Sequence, residues 1–487
     1  MTERVLNKLV RPGERPWLLR CGLGNAGRAG RGGPLGVAEL RHRAFTGPAD
    51  HSDGQPKAQR GRGNQRRTSD RAGRRTNAWR RTNENTERSA RSAVRRGGRG
   101  GGAIGRVHQQ RGRTAAQRGD SFHRDDHVAH RGGRFGHPPD ALPFPEPAGA
   151  AFSAARRAAL QAALDTVMDG WSELDSVKGV SAAVVTPDGS WAGVFGADGA
   201  GVPLVPDAMA GVGSVTKTVT AAEVLSLAQA GLVDLNAPAS TYLSHPLLHL
   251  NPTVRELLSH TSGIPEFDTG TGFAEAVFAD GTRRWTPDEA LGYATGPVTS
   301  PNEHPTDPAA GYSNSNYLLL GEIIEKVTGL TYAQAVRRDV LAGIGPRMAL
   351  QDAEIPVPPV ATAAPASGAL PDGSYLPNRA WATALGAAGG VAADAPTLAT
   401  WGYQLYGGHV LNNETTRQMA TPVAVGYGLG TALTNTTVGH PGRVPSYASL
   451  LTVIPTDKTS IAILLVGYID THALTSLSDS IQIALRT

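Results

Sequence analysis

The chain has a single cysteine, Cys21, among 487 residues. That excludes an intrachain disulfide and leaves everything downstream without thiol chemistry. No run of about 18 apolar residues occurs, so the sequence offers no transmembrane helix. Met1 to Arg20 carries charges throughout and has no apolar h-region, so no secretory signal is readable there. Leu18-Leu19-Arg20-Cys21 stands where a lipoprotein cleavage box would, but lacks the apolar run before it. Lysine is scarce: beyond residue 140 there are only four, at 178, 217, 326 and 458.

The basic pI of about 9.4 belongs to one end of the chain. Residues 1–140 hold 31 Lys and Arg against 12 Asp and Glu, a net charge of +19. The remainder holds 16 against 30, net −14, so nucleic-acid or membrane arguments from pI do not extend to it. Residues 1–145 are Arg/Gly-rich, as in Arg95-Arg96-Gly97-Gly98-Arg99, and lack the apolar periodicity that would offset ordering entropy. Three readings compete: a disordered RNA-binding tail, a plain solvated tail, and a start assigned too early, so that GC-rich sequence is translated out of frame. The third is favoured, and no nucleic-acid partner is expected for the rest of the chain.

After Pro143-Phe144-Pro145 the texture changes. Leu160, Leu164, Val167, Met168 and Trp171 fall on one helix face. Val180–Thr186 and Trp191–Phe195 read as strands around a Pro187-Asp188-Gly189 turn. Trp171 and Trp191 are expected in the core. Helical patterns follow at Ser214–Ala230, Thr253–Ser259 and Ser315–Val327, and residues 354–366 read as Pro/Ala-rich loop. Sheet texture returns at Tyr447–Ile454 and Ser460–Val466, with a last helix over Leu474–Leu485. Strands at both ends with helices between predict one antiparallel sheet built from both ends of residues 146–487, with an inserted helical lobe. The sheet lobe would take about 150–200 and 400–487 and the helical lobe about 205–400, with a site between them.

Three short motifs carry chemistry. In Gly213-Ser214-Val215-Thr216-Lys217, a serine at a helix start has a lysine three residues on, hence on the same face. A serine hydroxyl needs such a base, and a desolvated lysine near a helix N-terminus loses its proton more readily. No other lysine beyond residue 140 has a serine at this spacing. In Tyr312-Ser313-Asn314, the phenol is a candidate proton shuttle and the amide a candidate holder of Lys217 and of a substrate carbonyl. In His440-Pro441-Gly442, a strand edge would offer a backbone N–H to an oxyanion beside that of Ser214, and Gly442 would let substrate approach. Each motif alone is more often a helix cap or a turn; the three in order make a hypothesis.

At these residues the sequence resembles the β-lactamase-related serine hydrolases, which include class C β-lactamases, D-alanyl-D-alanine carboxypeptidases, D-aminopeptidases and β-lactamase-fold esterases. The resemblance covers about 150–487 and extends to Gly231–Pro238, to Thr253–Ile264 with its Leu257-Leu258-Ser259-His260-Thr261-Ser262-Gly263, to Gly386–Ala393 and to Tyr427-Gly428-Leu429-Gly430. It implies an α/β (α+β) fold of the β-lactamase/transpeptidase type, with Ser214 as acylated nucleophile, Lys217 as base, Tyr312 as proton shuttle and Asn314 beside it. His440 takes the place of the third motif's Lys or His. The N–H groups of Ser214 and Arg443 would form the oxyanion hole. No metal or cofactor is implied, and the partner would be a small-molecule or peptidoglycan-like substrate, in a bacterial exported or envelope setting.

Two departures bear on substrate. Arg443 stands where the family commonly has glycine, either to clamp a substrate carboxylate or to face solvent. Pro441 removes a strand donor. His440 in place of Lys suits a peptidase or esterase better than a dedicated β-lactamase. His260 is expected to be structural. The expected activity is acyl-enzyme hydrolysis of an ester, a D-amino-acid peptide or a β-lactam amide; the alternative is a catalytically silent binding protein of the same fold.

Overall fold

A computed structural model describes residues 142–171, 177–299, 311–357, 379–424, 426–445, 447–467 and 471–486. The expectations for residues 1–141, and most of the Pro/Ala-rich loop, lie outside this set. No helix among the described residues is long and apolar enough to cross a membrane.

The main sheet has six strands: β1 (Val177–Thr186), β2 (Gly189–Gly196), β6 (Ala432–Leu433), β7 (Val438–Val444), β8 (Tyr447–Ile454) and β9 (Thr459–Gly467), in the order β2-β1-β9-β8-β7-β6. All its pairings are antiparallel. The register joins the two ends of the folded segment, since Ala183 pairs with Ala462 at the centre. Strand alternation explains the sequence texture. On β1, Val180, Ala182 and Val184 feed one core while Ala183 and Val185 feed the other. β9 is buried along its whole length, as a strand covered on both faces must be.

Helix α1 (Ala154–Trp171) lies on the outer face, burying Leu160, Leu164 and Met168 with Trp191. Trp171 only packs against that cluster. The inner face meets the helical lobe. There α2 (Thr216–Gln229) is buried on nearly every side, which is why its sequence shows no polar stripe. Around and after it come α3 (Val254–Leu258), α4 (Phe273–Ala279), α5 (Pro287–Leu291), α6 (Asn314–Thr328), α7 (Tyr332–Asp339), α8 (Arg379–Gly389), α9 (Ala395–Tyr406) and α10 (Asn413–Met419). The last helix, α11 (Thr471–Leu485), joins α1 on the outer face. A second sheet, β3 (Ala210–Gly211), β5 (Val391–Ala393) and β4 (Met348–Leu350), ties the start of α2 to the end of α8.

Thr253 caps α3 through a reciprocal box with Glu256, whose amide donates to Thr253 Oγ1 at 3.2 Å while Glu256 Oε2 accepts from the Thr253 amide at 2.7 Å. Gly329 ends α6 in the left-handed conformation. Three threonines pin α2. Thr216 Oγ1 accepts from the Val391 amide, Thr218 Oγ1 accepts from Trp401 Nε1, and Thr220 Oγ1 donates to the Ala387 carbonyl.

Candidate active site

Ser214 does not sit inside the expected helix. It lies in a tight 3₁₀ turn, Gly213–Val215, that leads into α2. Gly213 has φ +51°, and a Cβ there would fall 2.7 Å from the Arg443 amide nitrogen and 2.8 Å from its carbonyl oxygen. Glycine therefore lets the nucleophile turn close onto the edge of β7. That edge is open at this level because β6 pairs only with Val438 and Gly439. The main chain of Arg443 thus lies against the turn that carries the Ser214 amide, the arrangement an oxyanion site requires. Alternation along β7 sends the Arg443 side chain to the opposite face from His440 and Gly442. Arg443 brings its backbone to the site, and the carboxylate-clamp reading gains no support.

Gly442 corrects another expectation. Its missing side chain makes room for protein, not substrate: a Cβ would lie 2.0 Å from the Val212 carbonyl oxygen and 2.3 Å from Ser449 Oγ. Ser449 Oγ donates to that same carbonyl at 2.7 Å, so β8 and Gly442 together seat the residue before the nucleophile turn.

Lys217 is fully buried. Its Nζ donates to Ser214 Oγ at 3.0 Å, to Asn314 Oδ1 at 2.5 Å and to the Ala388 carbonyl at 2.9 Å. Three acceptors match the three N–H donors of an ammonium. The Ala388 carbonyl is available because α8 breaks its helical path at Gly386, φ 35° and ψ −119°. Tyr312 OH donates to Ser214 Oγ at 2.9 Å. Ser214 and Tyr312 are partly exposed, so substrate can reach both. Ser214, Lys217, Tyr312 and Asn314 are therefore brought together.

His440 meets them differently. Its ring centroid is 6.4 Å from that of Tyr312. Nδ1 donates to the Pro441 carbonyl, and Nε2 accepts from Tyr427 OH at 2.9 Å. Both nitrogens are engaged away from Ser214. Burial, reinforced by the Lys217 charge, pushes its pKa down to about 3, so the imidazole is neutral. His260 lies behind Tyr312 with ring centroids 4.1 Å apart, and its Nδ1 accepts from the Ser313 amide at 3.2 Å. Burial first, then Lys217 and His440, holds its pKa well below the usual histidine value. His260 is thus buried and packed between Tyr312 and Tyr317.

Two acids were not anticipated. Glu266 Oε2 accepts from the Asn314 amide at 2.6 Å, and Asp268 Oδ2 accepts from Asn314 Nδ2 at 3.0 Å. Both lie just after the His260–Gly263 motif, and that position was the only signal in the sequence. Burial, with the neighbouring Asp268, raises Glu266 to about 8, against the pull of the Asn314 and Asp268 N–H groups and of Lys217. Burial also raises Asp268, opposed by Lys217 and Asn314.

Fold and side-chain arrangement together are of the β-lactamase/transpeptidase type. The Beta-lactamase family pattern matches residues 163–472, and the chain belongs to that family. It is 32% identical over 130 residues to Protein flp of Staphylococcus aureus (strain MW2), covering 26% of this chain and 24% of that protein. It is 29% identical over 149 residues to Penicillin-binding protein 4* of Bacillus subtilis (strain 168), covering 29% and 30%. The matched stretches thus span under a third of these curated relatives. Among solved structures, D-amino acid amidase from Ochrobactrum anthropi SV3 superposes with TM-score 0.57 at 22% identity, over 68% of this chain and 99% of that one. A D-stereospecific amidohydrolase from Streptomyces sp. superposes with TM-score 0.51 at 27% identity, over 66% and 97%.

Proposed function

We propose that this protein hydrolyses an ester or an amide of a D-amino acid through an acyl-enzyme on Ser214. The observation that carries the reading is the convergence of Lys217 Nζ and Tyr312 OH on Ser214 Oγ, at 3.0 and 2.9 Å. As Oγ attacks the substrate carbonyl carbon, its proton passes to Lys217 in its neutral form. The carbonyl oxygen becomes an oxyanion, held by the N–H groups of Ser214 and Arg443. Tyr312 hands a proton to the departing alcohol or amine and is resupplied from Lys217. Water then attacks the acyl-enzyme by the same route in reverse, releasing the acid and regenerating Ser214.

The substrate class rests on charge. With His440 neutral, the place where the third motif can carry a lysine holds no charge, which weighs against a β-lactam. The likeness to a D-stereospecific amidohydrolase supports a D-amino-acid derivative. Purified protein and a Ser214→Ala variant should be assayed on p-nitrophenyl acetate, D- and L-phenylalanine amide, and nitrocefin. Turnover of the ester and the D-amide, lost in the variant, is expected. Nitrocefin as the preferred substrate would overturn the substrate class, and no turnover of any of the four would leave a silent binding protein of the same fold.

A further inference from the structure

The acids on the loop after the His260 motif surround Asn314 on the side away from Lys217. Asn314 is held at three points: Oδ1 accepts from Lys217, Nδ2 donates to Asp268, and its backbone N–H donates to Glu266. The neighbouring residues fix the same loop, since Ser313 and Ser315 both donate through Oγ to the Pro265 carbonyl, at 3.2 and 2.7 Å. A flipped Asn314 amide would set its NH₂ against the Lys217 donors and its oxygen against the Asp268 oxygens. Only one orientation satisfies both neighbours.

Resting on the serine-hydrolase reading above, we infer that Asp268 is a positioning residue of the catalytic centre: its carboxylate fixes the Asn314 amide toward Lys217 and places a negative charge one amide group from the lysine nitrogen. Other described neighbours of Lys217 act on it differently. Tyr312 and Tyr317 present ring faces, with Nζ 5.0 and 5.4 Å from their centroids. His260 and His440 are neutral. Glu266 turns its two oxygens to the backbone N–H groups of Phe267, Asp268 and Asn314, and burial raises its pKa. Asp268 is the member of the acid pair that touches the Asn314 side chain, and Lys217 and that amide favour its charged form against burial. It favours the ammonium and sets the pH at which Lys217 becomes a base. An opposite charge within about 4–6 Å typically moves a pKa by about one to three units.

The test compares full-length wild type with Asp268→Asn, Asp268→Ala and Glu266→Gln. Fluorophosphonate labelling rates at Ser214 are followed from pH 5 to 10. Asp268→Asn keeps an oxygen for Asn314 Nδ2 and removes the charge. Its acidic limb should shift down by about one to two pH units, with the plateau within severalfold of wild type. Asp268→Ala removes the acceptor as well, and its plateau should fall by about tenfold or more. Glu266→Gln sets an NH₂ against one of the backbone N–H groups that Glu266 now accepts from, so its plateau should fall, while its limb should stay in place. A limb unmoved in Asp268→Asn overturns the inference, as does a variant whose only defect is a raised KM for cationic substrates, because Asp268 would then contact substrate. If wild type does not label, the hydrolase reading fails separately. The Lys217 pKa is then read directly by NMR with ¹³Cε-lysine, among the six lysines of the chain. A pKa lowered in Asp268→Asn supports the inference, and an unchanged one overturns it.

Discussion

Replacing Gly213 by alanine probes how the nucleophile turn is seated. The new Cβ would lie 2.7 Å from the Arg443 nitrogen and 2.8 Å from its carbonyl carbon and oxygen. Ordinary contact begins near 3.4 Å, so the turn or the strand must retreat by about 0.6–0.7 Å. Those contacts are all backbone, and no flexible side chain can yield. The φ of +51° adds about 1–2 kcal/mol of left-handed strain for a residue with a Cβ. The retreat separates the two amides that face the oxyanion. Losing one such donor costs about a hundredfold to a thousandfold in rate. Gly213→Ala should therefore fold, with Tm lowered by a few degrees, and should acylate about 10²–10³ times more slowly. Stopped-flow acylation by a p-nitrophenyl ester reads the rate, and far-UV circular dichroism reads the melt. A folded variant that acylates within threefold of wild type would refute the argument that this glycine sets the oxyanion geometry.

Lys217→Met leaves Asn314 Oδ1 and the Ala388 carbonyl without their buried donor. It should lower stability by about 1–3 kcal/mol in urea titration and reduce labelling of Ser214 by about 10²–10⁴. Tyr312→Phe keeps the ring packed against His260 and removes only the hydroxyl, so Tm should hold while turnover falls about a hundredfold or more. His440 has a folded pKa depressed to about 3, below the value near 6.5 of the unfolded chain. Its contribution to stability is therefore intact above pH 6.5 and is lost as pH falls toward 3, by at most about 1.4 kcal/mol per pH unit. Urea titrations of His440→Gln against wild type should show the variant gaining relative stability from pH 7 to pH 5; parallel curves would count against a neutral buried His440.

The strands at both ends were legible because alternation and the Pro187-Asp188-Gly189 turn have local causes. Ser214 and Lys217 were legible because a three-residue spacing survives any helix geometry, even though Ser214 stands in a 3₁₀ turn. What escaped is non-local or carries no side-chain signal. The Ala388 acceptor is a backbone carbonyl exposed by a kink. The small sheet pairs residues more than 180 positions apart with strands of two or three residues. Gly442 was read as room for substrate, and the fold fills that room with the Val212 carbonyl. His440 was placed by its motif, but its partner Tyr427, which engages Nε2, comes from the separate Tyr427–Gly430 segment. Glu266 and Asp268 look like ordinary loop acids until Asn314 is brought between them and Lys217.

The central claim is that Ser214 is an activated nucleophile, and intact-mass spectrometry after fluorophosphonate treatment tests it most directly. Residues 146–487 and the full chain would each be measured, wild type beside Ser214→Ala. The account predicts one adduct on wild type, located on the peptide containing Ser214, and none on the variant. Folded wild-type protein that takes up no adduct, or an adduct that persists in Ser214→Ala, would contradict it.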